Sequence, residues 1–285
     1  MRALVTGGAG FVGTNLVKRL LADGHYVVCI DNFSTGTTSN KIPGIEYHNI
    51  NMGSRHNHPE YLRYLVEDID IVFHLAAKAR IQPSFKQPEE YLQSNYQGTY
   101  DVVKFCTTTN TPLVYAGSSS CHSGKFKNPY TFSKVMGEEI IELYTTHFGL
   151  QASTARFYNV YGPHQLTEGG YTTLIGKWLN NIKIQEPFDI FGDGEKRRDF
   201  THVDDIVDGL IRIMKQQAYG HIFEFGRGMN HSINEVAKMF DIVPWYAPDR
   251  PGEAQDTLAD SSLAEDILGW EAKINLKDYI RGEIR

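Results

Sequence analysis

A chain of 285 residues, 41% apolar and 22% charged, has the balance of a soluble globular protein and the length for one large domain or two smaller ones. Its net charge of −6 and pI near 6.0 leave no basic surplus to hold nucleic acid or an anionic membrane. No apolar run reaches the roughly 20 residues of a membrane span. Cys29, Cys106 and Cys121 are too scattered for a zinc site or a disulfide framework, so a reducing, cytoplasmic setting is expected.

The chain enters a short apolar run, Ala3-Leu4-Val5, that reads as a buried strand with no signal peptide ahead of it. Thr6-Gly7-Gly8-Ala9-Gly10-Phe11-Val12-Gly13 follows, and then Leu16, Val17, Leu20 and Leu21 recur at helical spacing until Gly24. Strand, glycine turn and helix in that order bring backbone N–H groups close to a ligand, at a helix N-terminus suited to a pyrophosphate. A second strand, Tyr26 to Ile30, ends in Asp31. An acid about 20 residues beyond such a turn is where a Rossmann unit binds the adenosine ribose 2′-OH. The same carboxylate repels a 2′-phosphate, so NAD is expected rather than NADP. The alternative is a structural turn that binds nothing.

Ile45–His48, Ile69–Leu75, Leu113–Ala116 and Ala152–Phe157 read as further strands, and Tyr61–Glu67, Pro88–Thr107 and Tyr130–Phe148 as helices. That alternation predicts an α/β, doubly wound parallel sheet whose ligands bind at the carboxyl ends of the strands. Beyond Phe157 the pattern loosens. Tyr171–Asn180 reads as a helix, Ile190–Gly194 as a strand end and turn, Val203–Lys215 as an amphipathic helix, and His221–Phe225 as a strand returning to the sheet. Ile233–Phe240, Leu263–Leu268 and Leu276–Ile284 read as short helices. We therefore expect a nucleotide-binding domain of residues 1–157 plus about 201–226, and a smaller C-terminal substrate lobe of about 158–200 plus 227–285. The cleft between them is the natural place for a second ligand. His56-Asn57-His58 reads as a polar loop, and Tyr91, Tyr96, Tyr100 and Phe105 as a packed helix face.

The strand Leu113–Ala116 runs into Gly117-Ser118-Ser119-Ser120-Cys121, and Tyr130-Thr131-Phe132-Ser133-Lys134 follows. Tyr130 and Lys134 are i and i+4 on a helix and share one face. An ammonium beside a phenol, with a nicotinium ring nearby, favours the phenolate, so the Tyr130 pKa is expected below its usual value of about 10. Such a tyrosine can take a proton from a sugar hydroxyl, with a serine holding the same oxygen. An amphipathic surface with a packed tyrosine is the alternative.

Together with Asp31-Asn32, His74-Leu75-Ala76-Ala77, Asn95, Arg156–Pro163, Arg198–Asp205 and Arg250-Pro251-Gly252-Glu253, these motifs span nearly the whole chain. The chain resembles the extended short-chain dehydrogenase/reductases of the nucleotide-sugar epimerase/dehydratase group, and its late motifs look most like UDP-sugar 4-epimerases. The resemblance implies that Gly7, Gly10, Phe11, Val12, Asp31, Asn32, Asn51, Met52, Leu75, Ala76, Ala77, Lys78, Asn95, Ser118, Tyr130, Lys134 and Phe157 hold NAD. Ser120, Tyr130 and Lys134 would be catalytic. Ser120, Asn159, Arg198, Arg250 and Glu253 would hold a nucleotide-sugar, with no metal. Guanidinium forks suit a diphosphate, although Arg198 could instead pair with Asp199 or Asp204. The helices Pro88–Thr107 and Tyr130–Phe148 would form a homodimer seam.

The chain departs from that pattern between the serines and Tyr130, where only Cys121–Pro129 intervenes. This leaves the sugar side open, or covered by another segment or subunit. Asn51-Met52 replaces the aspartate pattern of many relatives, and His164 an arginine. Ser120 is followed by Cys121 and His122 rather than by a carboxylate, which disfavours dehydratase and decarboxylase chemistry. A UDP-glucose/UDP-galactose type 4-epimerase, working through a 4-keto intermediate, is therefore the expected activity. A keto-sugar epimerase or reductase, with Cys121 and His122 or His164 at work, is the second reading. A non-catalytic NAD- or nucleotide-binding protein is the third.

Overall fold

The computed structural model describes residues 1–54, 62 and 66–284. Most of the expected Tyr61–Glu67 helix lies outside them, as does His56-Asn57-His58.

Strands β1 (Arg2–Thr6), β2 (Tyr26–Asp31), β3 (Glu46–Asn49), β4 (Ile71–His74), β5 (Leu113–Ser118), β6 (Ala152–Phe157) and β9 (Ile222–Phe225) form one sheet in the order β3-β2-β1-β4-β5-β6-β9. Every pairing in it is parallel. β1 and β4 are apolar and buried because helices cover both faces of a parallel sheet. Chain order reverses between β1 and β4, which opens a crevice at their carboxyl ends.

Helices α1 (Phe11–Ala22) and α7 (Val203–Gln216) pack on one face, over a core that includes Leu16, Leu20, Ile206, Leu210, Phe223 and Trp270. On the other face α4 (Gly98–Thr109) and α5 (Pro129–Phe148) bury Val102, Phe105, Tyr115 and Ile141. Asn128 caps α5 by accepting from the Thr131 N–H at 2.7 Å, Pro129 opens the first turn, and Gly149 closes it at φ 71°.

A third cluster centres on Trp178, Ile175, Val236, Phe240, Leu276 and Ile280. It is built by α6 (Leu174–Ile184), α8 (Ile233–Phe240) and α10 (Leu276–Ile284). Beside it lie two small sheets. One pairs β7 (Asp189–Phe191) with β11 (Trp245–Ala247), and the other pairs β8 (Arg197–Asp199) with β10 (Asn230–Ser232). The remaining helix, α9 (Ser262–Leu268), returns to α7 and β9.

Some expected elements shift. α6 starts at Leu174 rather than Tyr171, because the Thr173 hydroxyl accepts from the Gly176 N–H at 2.9 Å and caps it there. The stretch expected as one helix from Pro88 is broken into α3 (Pro88–Tyr91), a π-helical stretch Leu92–Gln97, and α4. The wider turn absorbs an extra residue where Gly53 presses so close that a Cβ on it would sit 2.0 Å from the Gln93 carbonyl oxygen. A short helix, α2 (Ile81–Lys86), was not expected from spacing.

Candidate active site

A cleft opens at the carboxyl ends of β1, β2, β4 and β5. Its walls include Gly7, Gly10, Phe11, Val12, Asp31, Asn32, Asn51, Met52, Leu75, Ala76, Ala77, Tyr130, Lys134 and Phe157. The glycines set its floor. Gly7 has φ 75°, and a Cβ there would meet the Ala76 nitrogen at 2.8 Å. A Cβ on Gly13 would lie 2.0 Å from the Gly7 carbonyl oxygen, so α1 seats directly on the turn. No side chain caps α1 at Gly10, which leaves the N–H groups of its first turn for a ligand's anionic group. Asp31 ties the turn together: its carboxylate accepts from the Ala9 N–H at 2.9 Å and the Phe33 N–H at 2.8 Å. The Asn32 amide donates to Asn51 at 2.9 Å on the same rim. This open glycine cradle with an acid at the next strand end fits a dinucleotide.

Tyr130 and Lys134 project from α5 into the same cleft. The Tyr130 hydroxyl donates to Ser118 Oγ at 3.1 Å, and Ser118 Oγ donates to Ser120 Oγ at 3.0 Å. Ser118, not Ser120, therefore touches Tyr130. A tight turn at Ser119–Ser123 places Ser120 one hydroxyl further out. The protein's own groups do not depress the Tyr130 pKa: desolvation in the cleft wall raises it, while the Ser118 hydrogen bond and the Arg80 charge pull the other way. The cation that acts on the phenol is Arg80. Lys134, buried with its Nζ 4.1 Å above the Tyr115 ring, has its own pKa pulled from 10.5 to about 7 by burial, against the opposing pull of Glu138.

That shift makes stability depend on pH with a definite sign. Between pH 7 and 10.5 the unfolded chain holds the Lys134 proton more firmly than the folded one. This group's contribution to stability therefore rises with pH through that window. In melting curves of the protein and Lys134→Met, the wild type should gain on the variant from pH 7 to 10. A gap that stays constant across that range would count against the assignment.

Asn95 and Lys78 do not line the cleft. Asn95 is fully buried; its Oδ1 accepts from the Lys78 N–H at 2.7 Å, and its Nδ2 donates to the Lys78 carbonyl at 2.9 Å and to Ser133 Oγ at 2.9 Å. It clamps the chain beyond β4 onto α5, so it shapes the site through the backbone. Arg80, Leu166, Tyr171 and Thr173 line the cleft but belong to no sequence motif. They come from loops, where periodicity carries no signal.

Asn159, Arg198, Arg250 and Glu253 gather outside that cleft. Arg198 pairs with Glu253 at 3.5 Å, not with Asp199 or Asp204. Asp199 is occupied by the N–H groups of Arg227, Gly228 and Ala259. The Asn159 amide donates to the Asp199 carbonyl at 3.1 Å, and the exposed Arg250 guanidinium lies 3.3 Å from the Phe191 ring centroid.

The short segment before Tyr130 is tied at its Asn128 end to a loop of the same chain, while Phe126 stands 83% exposed. Asn128 Nδ2 donates to the Gly252 carbonyl at 3.1 Å, and Gln82 Nε2 donates to the Pro251 carbonyl at 2.9 Å. The Arg250–Glu253 loop thus sits across Asn128 and α2. Beneath the segment, Arg156 bridges Glu138 at 2.7 Å and Glu224 at 3.6 Å, and Glu224 also accepts from Tyr158 at 2.6 Å and pairs with His122 at 2.5 Å. Burial pushes the Cys121 thiol up to about 12, so it is no thiolate. His164 lies elsewhere, against Lys18 and Asn40.

The model of the NAD-dependent epimerase/dehydratase family matches residues 3–226. A UDP-glucose 4-epimerase of Mycolicibacterium smegmatis is 30% identical over 312 residues, covering 98% of this chain and 96% of that protein. A UDP-glucuronate 4-epimerase of Thermodesulfobacterium geofontis is 30% identical, covering 98% and 93%. The crystal structure of a Thermotoga maritima UDP-glucose 4-epimerase with UDP-glucose superposes with a TM-score of 0.92 at 26% identity, over 100% of this chain and 97% of that one.

Proposed function

The chain belongs to the NAD-dependent epimerase/dehydratase family, and from that premise we propose that it is a nucleotide-sugar 4-epimerase acting on UDP-hexoses. The observation that carries this reading is the meeting of Tyr130 and Lys134 with the glycine turn in one cleft, with no free carboxylate beside the serines among the described residues. Glu138 and Glu224, the carboxylates nearest Cys121, are both committed to Arg156. Dehydration and decarboxylation need a further acid or base there, and 4-epimerisation needs none.

NAD is the cofactor, and when bound it supplies reversible two-electron oxidation at C4 of the sugar. Gly7, Gly10, Phe11, Val12 and Asp31 hold its adenosine and pyrophosphate end, and Lys134 and Phe157 its nicotinamide end. Tyr130 takes the proton of the 4-hydroxyl and later returns it, and the Ser118–Ser120 pair of hydroxyls steadies the same oxygen. The Arg80 charge offsets part of the desolvation that opposes the phenolate. Asn159, Arg198, Arg250 and Glu253 take the nucleoside diphosphate, in a lobe of about residues 158–200 and 227–285 from which α9 and Trp270 pack back against α7 and β9. The remaining residues, 1–157 with about 201–226, form the NAD-binding domain.

The test is incubation of the NAD-loaded protein with UDP-glucose, UDP-galactose and their N-acetyl forms, with products resolved by chromatography. C4 epimers should appear without net NADH. A 4-keto-6-deoxy sugar, a pentose, or stoichiometric NADH would refute the reading. The inert Cys121 thiol counts against a keto-sugar epimerase built on that residue.

Asp31→Ser should weaken NAD binding about tenfold or more, because a charged hydrogen bond to the ribose and the brace on Ala9 are both lost. The preference for NAD over NADP should shrink with it. Fluorescence titration of both cofactors measures this, and an unchanged NAD affinity would remove Asp31 from the cofactor site. We also propose a homodimer through α4 and α5, where Tyr144 meets Tyr100 edge-on and packs tilted against Phe148, and where Leu143 and Phe148 stand exposed. Light scattering should then give twice the chain mass of 32.3 kDa.

A further inference from the structure

We infer that Arg80 receives a carboxylate on the sugar, so that the preferred ligand is a nucleotide-sugar whose hexose carries a C6 carboxylate. This rests on the 4-epimerase reading above for where the sugar sits.

Arg80 stands in the cleft wall with Tyr130, Phe157, Tyr171 and Thr173. Its backbone has φ 81° and ψ 138°, a conformation that costs a residue bearing a Cβ. Its Nε donates to the Tyr171 carbonyl at 3.1 Å. The charged groups around it are missing their negative half. Its neighbours are the phenols of Tyr91 and Tyr130, with rings 6.2 Å apart and nearly perpendicular. Among the described residues no carboxylate lies within 4.0 Å of its guanidinium, whereas Arg156 has Glu138 at 2.7 Å and Arg198 has Glu253 at 3.5 Å.

A half-buried cation in a cleft wall without a counter-ion is under-compensated, and an anion delivered by the ligand supplies the missing partner. Burial in this wall also lowers the guanidinium pKa, in keeping with a charge that lacks its partner. The planar fork matches a carboxylate, and Nε is already fixed, so the two terminal nitrogens are the ones left to present. In a hexopyranose the carbon that carries C6 adjoins C4. A group beside Tyr130, which serves the 4-hydroxyl, therefore also reaches the C6 substituent. The diphosphate is the other anion of such a ligand, but the arginines proposed for it, Arg198 and Arg250, do not line this cleft.

Calorimetric titration of the NAD-loaded protein with UDP, UDP-glucose and UDP-glucuronate tests this. The wild type should bind UDP-glucuronate about tenfold tighter than UDP-glucose, as expected for one charge-assisted fork. Arg80→Gln should abolish that preference and leave UDP, UDP-glucose and NAD affinities unchanged. Arg80→Gly should do the same, and because glycine adopts the positive φ without strain it guards against misfolding as the cause, with melting curves as the check. No preference in the wild type, or a preference that survives both variants, would overturn the proposal. Loss of UDP affinity would overturn it by placing Arg80 on the diphosphate, and loss of NAD affinity by placing it on the cofactor. Arg80-dependent preference without epimer formation would sustain the charge reader and sink the epimerase.

Discussion

Tyr130→Phe is expected to lower kcat for UDP-sugar epimerisation by ~10²–10⁴-fold, the range general acid–base groups supply, while NAD and UDP-sugar affinities stay within about twofold. The substitution removes one oxygen from a ring otherwise held by its packing against Tyr91. The hydroxyl bonds only to Ser118 among the contacts seen, and the buried Ser118 keeps its hydrogen bond to Ser120 when that oxygen is lost. Ser118→Ala should separate binding from tuning. Losing its hydrogen bond raises the Tyr130 pKa further, since that bond is the largest influence lowering it. The limb on which kcat rises with pH, as the phenolate forms, should therefore move to higher pH in Ser118→Ala, whereas Tyr130→Phe should have no such limb. Stopped-flow and steady-state assays on the same preparations decide this. Equal turnover by wild type and Tyr130→Phe would remove the phenol from the mechanism.

Arg156→Met should be the most damaging change for stability. Its side chain is 19% exposed, and the carboxylates it serves, Glu138 and Glu224, are 8% and 13% exposed. Cutting one partner from a buried pair costs about 3–5 kcal/mol, mostly because the surviving charge stays buried and unpaired. At about 2–4 °C per kcal/mol for a chain of this size, the melting temperature should fall on the order of 10 °C. Replacing Glu138 together with Arg156 by apolar residues should recover part of the loss, because the orphaned charge goes too. Glu224 keeps Tyr158, His122 and the Asp260 N–H as partners, so recovery should be incomplete. Differential scanning calorimetry measures both; a drop below about 2 °C in Arg156→Met would show that the network is solvated.

Local periodicity made much of the fold legible. The Ala3–Val5 run, the glycine turn and the Leu16–Leu21 pattern specify a strand, a turn and a helix from neighbours alone, and they mark the cleft at its floor. The spacing of Tyr130 and Lys134 is equally local, because residues four apart on a helix share a face whatever surrounds them. The Thr173 cap moved a helix start by three residues, a matter of one hydroxyl choosing one N–H. The π-helical turn at Leu92–Gln97 was invisible in local spacing, and Gly53, which packs against it at Gln93, lies some forty residues earlier in the chain.

The site divides the same way. Sequence by itself picked out the groups proposed to carry the chemistry: a glycine cradle, an acid after the second strand, a phenol and an ammonium on one helix face, and arginines for a diphosphate. Tertiary structure alone decided how those groups are charged and paired. It turned the Tyr130 pKa upward, interposed Ser118, and spent Asn95 on the Lys78 backbone. It also tied the Arg250–Glu253 loop to Asn128, just before Tyr130, and left Arg80 facing the cleft with no carboxylate beside it among the described residues. The reason is physical. Secondary structure follows from neighbours a few residues apart, whereas desolvation and ion pairing depend on which distant side chains share a volume, and Asn128 meets Gly252 only when the whole chain has folded.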